Sequence, residues 1–78
     1  MNFFKSFNLT EEDFINEFID AVFAQDQHEM SKLCDLAFQT FGTYQASALV
    51  SNCCQSITSA DPNTGTWLKS WLKKYREQ

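Results

Sequence analysis

Glycine occurs twice, proline once and histidine once in these 78 residues, and no cysteine pair is spaced as CxxC. So few breakers leave few places where regular structure has to stop. Gly42 and Gly65 stand alone, so there is no glycine-rich loop to cradle a phosphate. The single His28 lacks the company that nucleophilic catalysis needs, a base held beside a nucleophile and oriented by a third group. Cys34 follows it by six residues, roughly 240° around a helix of 3.6 residues per turn, so the two do not meet locally. The carboxylates fall on polar arcs and make no inward pair. No residue is assigned as catalytic, and a non-enzymatic protein is expected.

Metal chemistry meets the same scarcity. His28, Cys34, Cys53 and Cys54 are the soft ligands, and none has the spacing of a zinc site. Cys53 and Cys54 lie on an apolar arc, where a thiol serves as a small hydrophobe. The run Asp61-Pro62-Asn63-Thr64-Gly65 opens like a calcium loop, but Thr66 and Leu72 stand where Gly and Glu are required. No metal and no other cofactor is expected.

An odd count of three cysteines argues against a disulfide framework. The opening MNFFKSFNLTEEDF lacks the apolar run, roughly 7–15 residues long, of a secretory signal. No stretch reaches the ~20 apolar residues that span a bilayer. These features point to a cytoplasmic protein with reduced thiols and no membrane role.

What is present is aromatic and unevenly charged. Eight Phe, two Trp and two Tyr can each bury ~150–250 Å², which suits a domain near the lower size limit for a self-sufficient core. At 44% hydrophobic and 21% charged the composition is globular. The formal net charge is −4, but residues 11 to 35 hold eight acids against one Lys, a local charge of −7. Residues 66 to 78 hold four bases against one acid, a local charge of +3. The acidic balance opposes general nucleic-acid binding, which leaves a basic footprint.

Apolar spacing is helical throughout. Thr10 is a natural N-cap with Asp13 at the third helical position, Leu9 and Phe14 form a staple, and Glu11, Glu12 and Asp13 complement the helix dipole. Phe14, Ile15, Phe18, Ile19, Val22 and Phe23 then trace one stripe. Asp26 and Glu29 open a second helix along Met30, Leu33, Cys34, Ala37, Phe38 and Phe41, and Gly42 supplies its left-handed end. A third stripe runs Ala46, Leu49, Val50, Cys53, Cys54, Ile57. Ser59 to Gly65 reads as a turn, after which Thr64 or Thr66 caps a last helix carrying Trp67, Leu68, Trp71, Leu72 and Tyr75 on one arc. The aromatic residues 2 to 8 fit a short turn laid over the core. The expectation is one all-α domain over 1–78, a compact small bundle of four helices near 11–24, 27–41, 44–58 and 66–76, with three helices as the fallback.

Phe41-Gly42-Thr43-Tyr44-Gln45-Ala46-Ser47 has the look of a helix-turn-helix corner. Phe38 stands where that motif wants a small residue, and residues 43 to 60 contain no Lys or Arg to anchor phosphates. Direct nucleic-acid reading is therefore not favoured. Two surfaces remain. Asp13, Glu17 and Asp20 form an acidic ridge opposite the first apolar stripe, suited to a basic or nucleic-acid-binding protein. The last helix offers Trp67, Lys69, Trp71, Lys73 and Lys74 as a second choice for a partner. The expected function is protein–protein binding as an adaptor, inhibitor or immunity-type regulator. The alternatives are a nucleic-acid-binding accessory protein using the basic last helix, and a self-assembling structural subunit. A homodimer stays open.

Overall fold

The first helix, α1 (Glu11–Ala24), starts where capping chemistry puts it. The computed structural model describes residues 9–77. Thr10 is extended, and its Oγ1 accepts from the Asp13 N–H at 3.0 Å, satisfying one of the orphan donors of the first turn. Leu9 packs against the core that holds Phe14. The helix ends on Gln25, a non-glycine residue at φ 55 whose N–H reaches back to Val22 O at 2.9 Å. Asp26 then caps the next helix, its carboxylate accepting from the Glu29 N–H at 3.2 Å.

That helix, α2 (Gln27–Ala60), is one element where the sequence suggests two. Of the two expectations the three-helix fallback holds among the described residues, and four helices are not seen there. The reason is Gly42. It is the single residue with non-helical backbone inside α2, at φ 86 and ψ 165, a region that only glycine occupies without strain. One residue turns the chain, so no loop separates the arms 27–41 and 43–60. A straight helix of this length would run about 51 Å at 1.5 Å per residue, longer than the 42 Å greatest extent of the molecule. The bend folds α2 into two arms, and Tyr44, just past it, is 91% exposed.

The last helix, α3 (Pro62–Arg76), begins four residues before the expected start near residue 66. Asp61 does two jobs. Its N–H donates to Ile57 O at 2.8 Å to close α2, and its carboxylate accepts from the Asn63 N–H at 3.2 Å and the Thr64 hydroxyl at 2.8 Å to open α3. The Thr64 hydroxyl, helped by the backbone bonds, holds the Asp61 carboxyl below the usual range. Pro62 fits the first helical position, where a missing N–H costs nothing. The stretch read as a turn is therefore the end of α2, one hinge residue and the start of α3. Gly65 lies inside α3 and buried, because a Cβ there would meet Thr58 of α2, 2.7 Å from its Cβ and 2.8 Å from its Cα.

Phe14, Phe18, Val22, Met30, Cys34, Ile57 and Leu68 are fully buried in one core drawn from all three helices. Phe14 and Phe18 stack at 5.2 Å between ring centroids. No charged or polar residue is buried among the described residues. α1 packs mainly on α2 and touches α3 little. Phe23, expected on the core stripe, is 48% exposed, since it lies on the flank of α1 that neither α2 nor α3 covers. The suggested turn at residues 2 to 8 lies outside the described residues.

Candidate functional site

The sequence-derived residues fall on two separate surfaces. Asp13, Glu17 and Asp20 are all exposed on α1, on the side away from Phe14 and Phe18. None has an ion-pair partner among the described residues, where the one salt bridge joins Lys32 to Glu29 at 3.2 Å. Glu17 and Asp20 border a shallow depression of about 310 Å³ whose other acids are Asp26 and Glu29. No set of three or more His, Cys, Asp or Glu side chains among the described residues is placed to hold a metal ion. The surface is anionic, open and without apolar depth.

The residues assigned to the last helix are divided by the fold. Trp71 is only 9% exposed and stacks on Tyr75 at 5.3 Å, so it belongs to the core and offers no face to a partner. Trp67 is half-buried against the same core. Lys69, Lys73 and Lys74 are exposed.

Two of these lysines edge a feature that helical periodicity alone does not reveal. Between the two arms of α2 and the second half of α3 lies an open groove of about 880 Å³. Phe38 from the first arm, Val50 and Cys54 from the second, and Leu72 from α3 give it an apolar floor. Lys69, Lys73 and Arg76 line it from α3, with Glu77 as its acid. The Tyr75 hydroxyl donates to Asp35 Oδ1 at 2.6 Å and ties α3 to the first arm. Burial, then that bond, then nearby acidic groups push the Tyr75 phenol well above its ordinary range.

The thiols are of two kinds. Burial raises Cys34 to about 12, with Asp35 and Cys53 adding to the effect, and burial followed by Cys54 raises Cys53 to about 11. Both are fully enclosed and stay neutral near pH 7. Cys54 is half-buried in the groove floor, and all three are free.

An apolar trough edged by cations can take a ligand that is apolar on one side and anionic on the other. The volume lies within the 300–1,000 Å³ typical of binding clefts. The sequence carried one signal of it, the recurrence Lys69, Lys73, Arg76 beside Leu72, but the opposite walls come from residues far along the chain. Comparison of the chain with protein-family models, curated proteins and solved structures finds no match.

Proposed function

We propose that this chain is a cytoplasmic, non-catalytic binding protein, an adaptor, inhibitor or regulator that acts by docking a helical segment of a protein partner in the α2–α3 groove. The observation that carries this reading is the juxtaposition of an apolar floor with Lys69, Lys73 and Arg76, none of which is neutralised by an ion pair among the described residues. The segment that fits is an amphipathic helix with an apolar stripe and an acidic flank, the helix-in-groove mode of recognition. Apolar burial supplies affinity, and the charges set orientation and association rate.

Titration with a synthetic acidic amphipathic helical peptide tests this. Binding is expected in the micromolar range for so small a contact and should weaken as salt screens the exposed cations. A peptide with the same apolar face and neutral flanks should bind at least about tenfold more weakly. Reversing Lys69, Lys73 and Arg76 to Glu should abolish binding of the acidic peptide while the circular dichroism spectrum is retained. Equal affinity for both peptides, or no effect of the reversal, would remove the groove from consideration.

A second surface serves the same reading. The exposed, unpaired ridge of Asp13, Glu17 and Asp20 suits a basic partner, including a protein that itself binds nucleic acid. Reversing those three to Lys separates the two surfaces, because it should spare the peptide and weaken only a basic partner. The nucleic-acid alternative has less behind it, since Trp71 is buried and Trp67 is half-buried against the core, which leaves little indole surface there for bases to stack on.

A further inference from the structure

We infer that the segment this groove accepts is α1 of a second copy of the same chain, laid with its acidic ridge along Lys69, Lys73 and Arg76. The inference rests on the groove being a protein-docking surface and adds the identity of its occupant. Both halves of the contact are visible in one molecule. The acids at 13, 17 and 20 and the bases at 69, 73 and 76 share the spacing i, i+4, i+7. Along either helix axis that places charges at 0, about 6 and about 10.5 Å, so three opposite pairs come into register together. Neither triad is paired within the chain among the described residues. The helices also match in length: 14 residues of α1 and 15 of α3 run about 21 and 22 Å.

Phe23 supplies the apolar component. It is 48% exposed and stands three residues from Asp20, on the flank of the ridge. With the acids in that register, Phe23 falls about 4.5 Å beyond the pairing of Asp20 with Arg76, where its ring covers the open end of the groove past the last turn of α3. The chain cannot make this contact with its own groove. Phe14, Phe18 and Val22 fix the opposite face of α1 in the core, so the ridge points away from the molecule that carries it. One helix face covers less than the ~800 Å² per partner of a standard interface. A reciprocal pair, each copy giving its α1 and receiving the other's, doubles the contact and closes the assembly.

The test is sedimentation equilibrium of the full chain across the micromolar range, at low and at high salt. The weight-average mass is expected to rise from 9.0 kDa toward twice that value with concentration, and to fall back in high salt. Two variants decide the register of charges: Asp13→Lys/Glu17→Lys/Asp20→Lys and Lys69→Glu/Lys73→Glu/Arg76→Glu. Each has like charges on ridge and groove and should sediment alone as a monomer. Mixed, they should form a heterodimer, because both reciprocal contacts then join opposite signs. Phe23→Ser, at a position 48% exposed and without change of charge, should weaken association at least about tenfold. Protection of Cys54 from alkylation as concentration rises gives an independent reading of the filled groove. A parent chain that remains 9.0 kDa throughout, or a mixture of the reversed variants that stays monomeric, overturns the inference. If the acidic peptide still binds in that case, the groove remains a docking surface for another protein. If the peptide fails as well, both readings fall.

Discussion

Replacing Gly65 by Ala sets two effects of opposite sign against each other. In an open helix the change raises propensity by about 1 kcal/mol. Here α3 crosses α2 so closely that the new Cβ meets Thr58, at 2.7 Å from its Cβ and 2.8 Å from its Cα, as well as its Oγ1. The hydroxyl is itself held by a 2.7 Å bond to Cys54 O, and the Cα is backbone, so neither can swing aside. Overpacking of this kind costs typically ~1–3 kcal/mol, and backbone displacement puts it at the upper end. Set against the propensity gain, the expected loss is about 2 kcal/mol, or a fall in Tm of roughly 8–16 °C for a domain of this size. Thermal unfolding followed by circular dichroism reads it directly. Adding Thr58→Ala should recover only part of the loss, because the contacts to Cβ and Cα remain. A Gly65→Ala variant as stable as the parent, or more so, would show that the helices do not approach as described.

Gly42 should fail for a different reason. Nothing lies within 4 Å of a Cβ built there, so Gly42→Ala is expected to lose about 1–3 kcal/mol from backbone strain alone. D-alanine, which prefers positive φ, should be tolerated at that position in a chemically synthesised chain, and equal tolerance of L-alanine would mean that the bend is not set by φ 86. For the thiols, Cys54 should be alkylated slowly at pH 7 and Cys34 and Cys53 hardly at all, as mass spectrometry of the labelled protein can report. The two enclosed thiols also set a direction for pH dependence. Their folded values of about 12 and about 11 lie above the ordinary 9.0, so the unfolded chain ionises first. Their contribution is complete below pH 9 and is lost as pH rises through 11 and 12. Denaturant midpoints should fall over that interval, and less steeply in Cys34→Ala.

Local chemistry was legible in the sequence and long-range pairing was not. Thr10 with Asp13 and Asp26 with Glu29 are caps complete within four residues, and the structure has both. Asp61-Pro62-Asn63-Thr64-Gly65 misled for a physical reason. The side chains that favour turns also cap helices, and Gly65 is present for the approach of Thr58, a residue seven earlier on a different helix. Gly42 was recognisable as a break, but periodicity does not say whether a break is a loop or a one-residue bend. Phe23 and Trp71 both lay on apolar arcs, and only the placement of α2 exposes one and buries the other. The groove was beyond reach on the same grounds, since Phe38, Val50 and Leu72 meet only once α2 has folded back and α3 has returned along it.

Amide chemical-shift mapping of the isotopically labelled chain during titration with the acidic amphipathic peptide tests the central claim most directly, at a concentration low enough to keep self-association minor. Shifts are expected along one continuous surface: the α3 residues around Lys69, Lys73 and Arg76, with Phe38 on one arm of α2 and Val50 and Cys54 on the other. The α1 ridge at Asp13, Glu17 and Asp20 should remain unperturbed. Shifts scattered over the molecule, confined to α1, or absent at saturating peptide would contradict the claim that this protein binds through the α2–α3 groove.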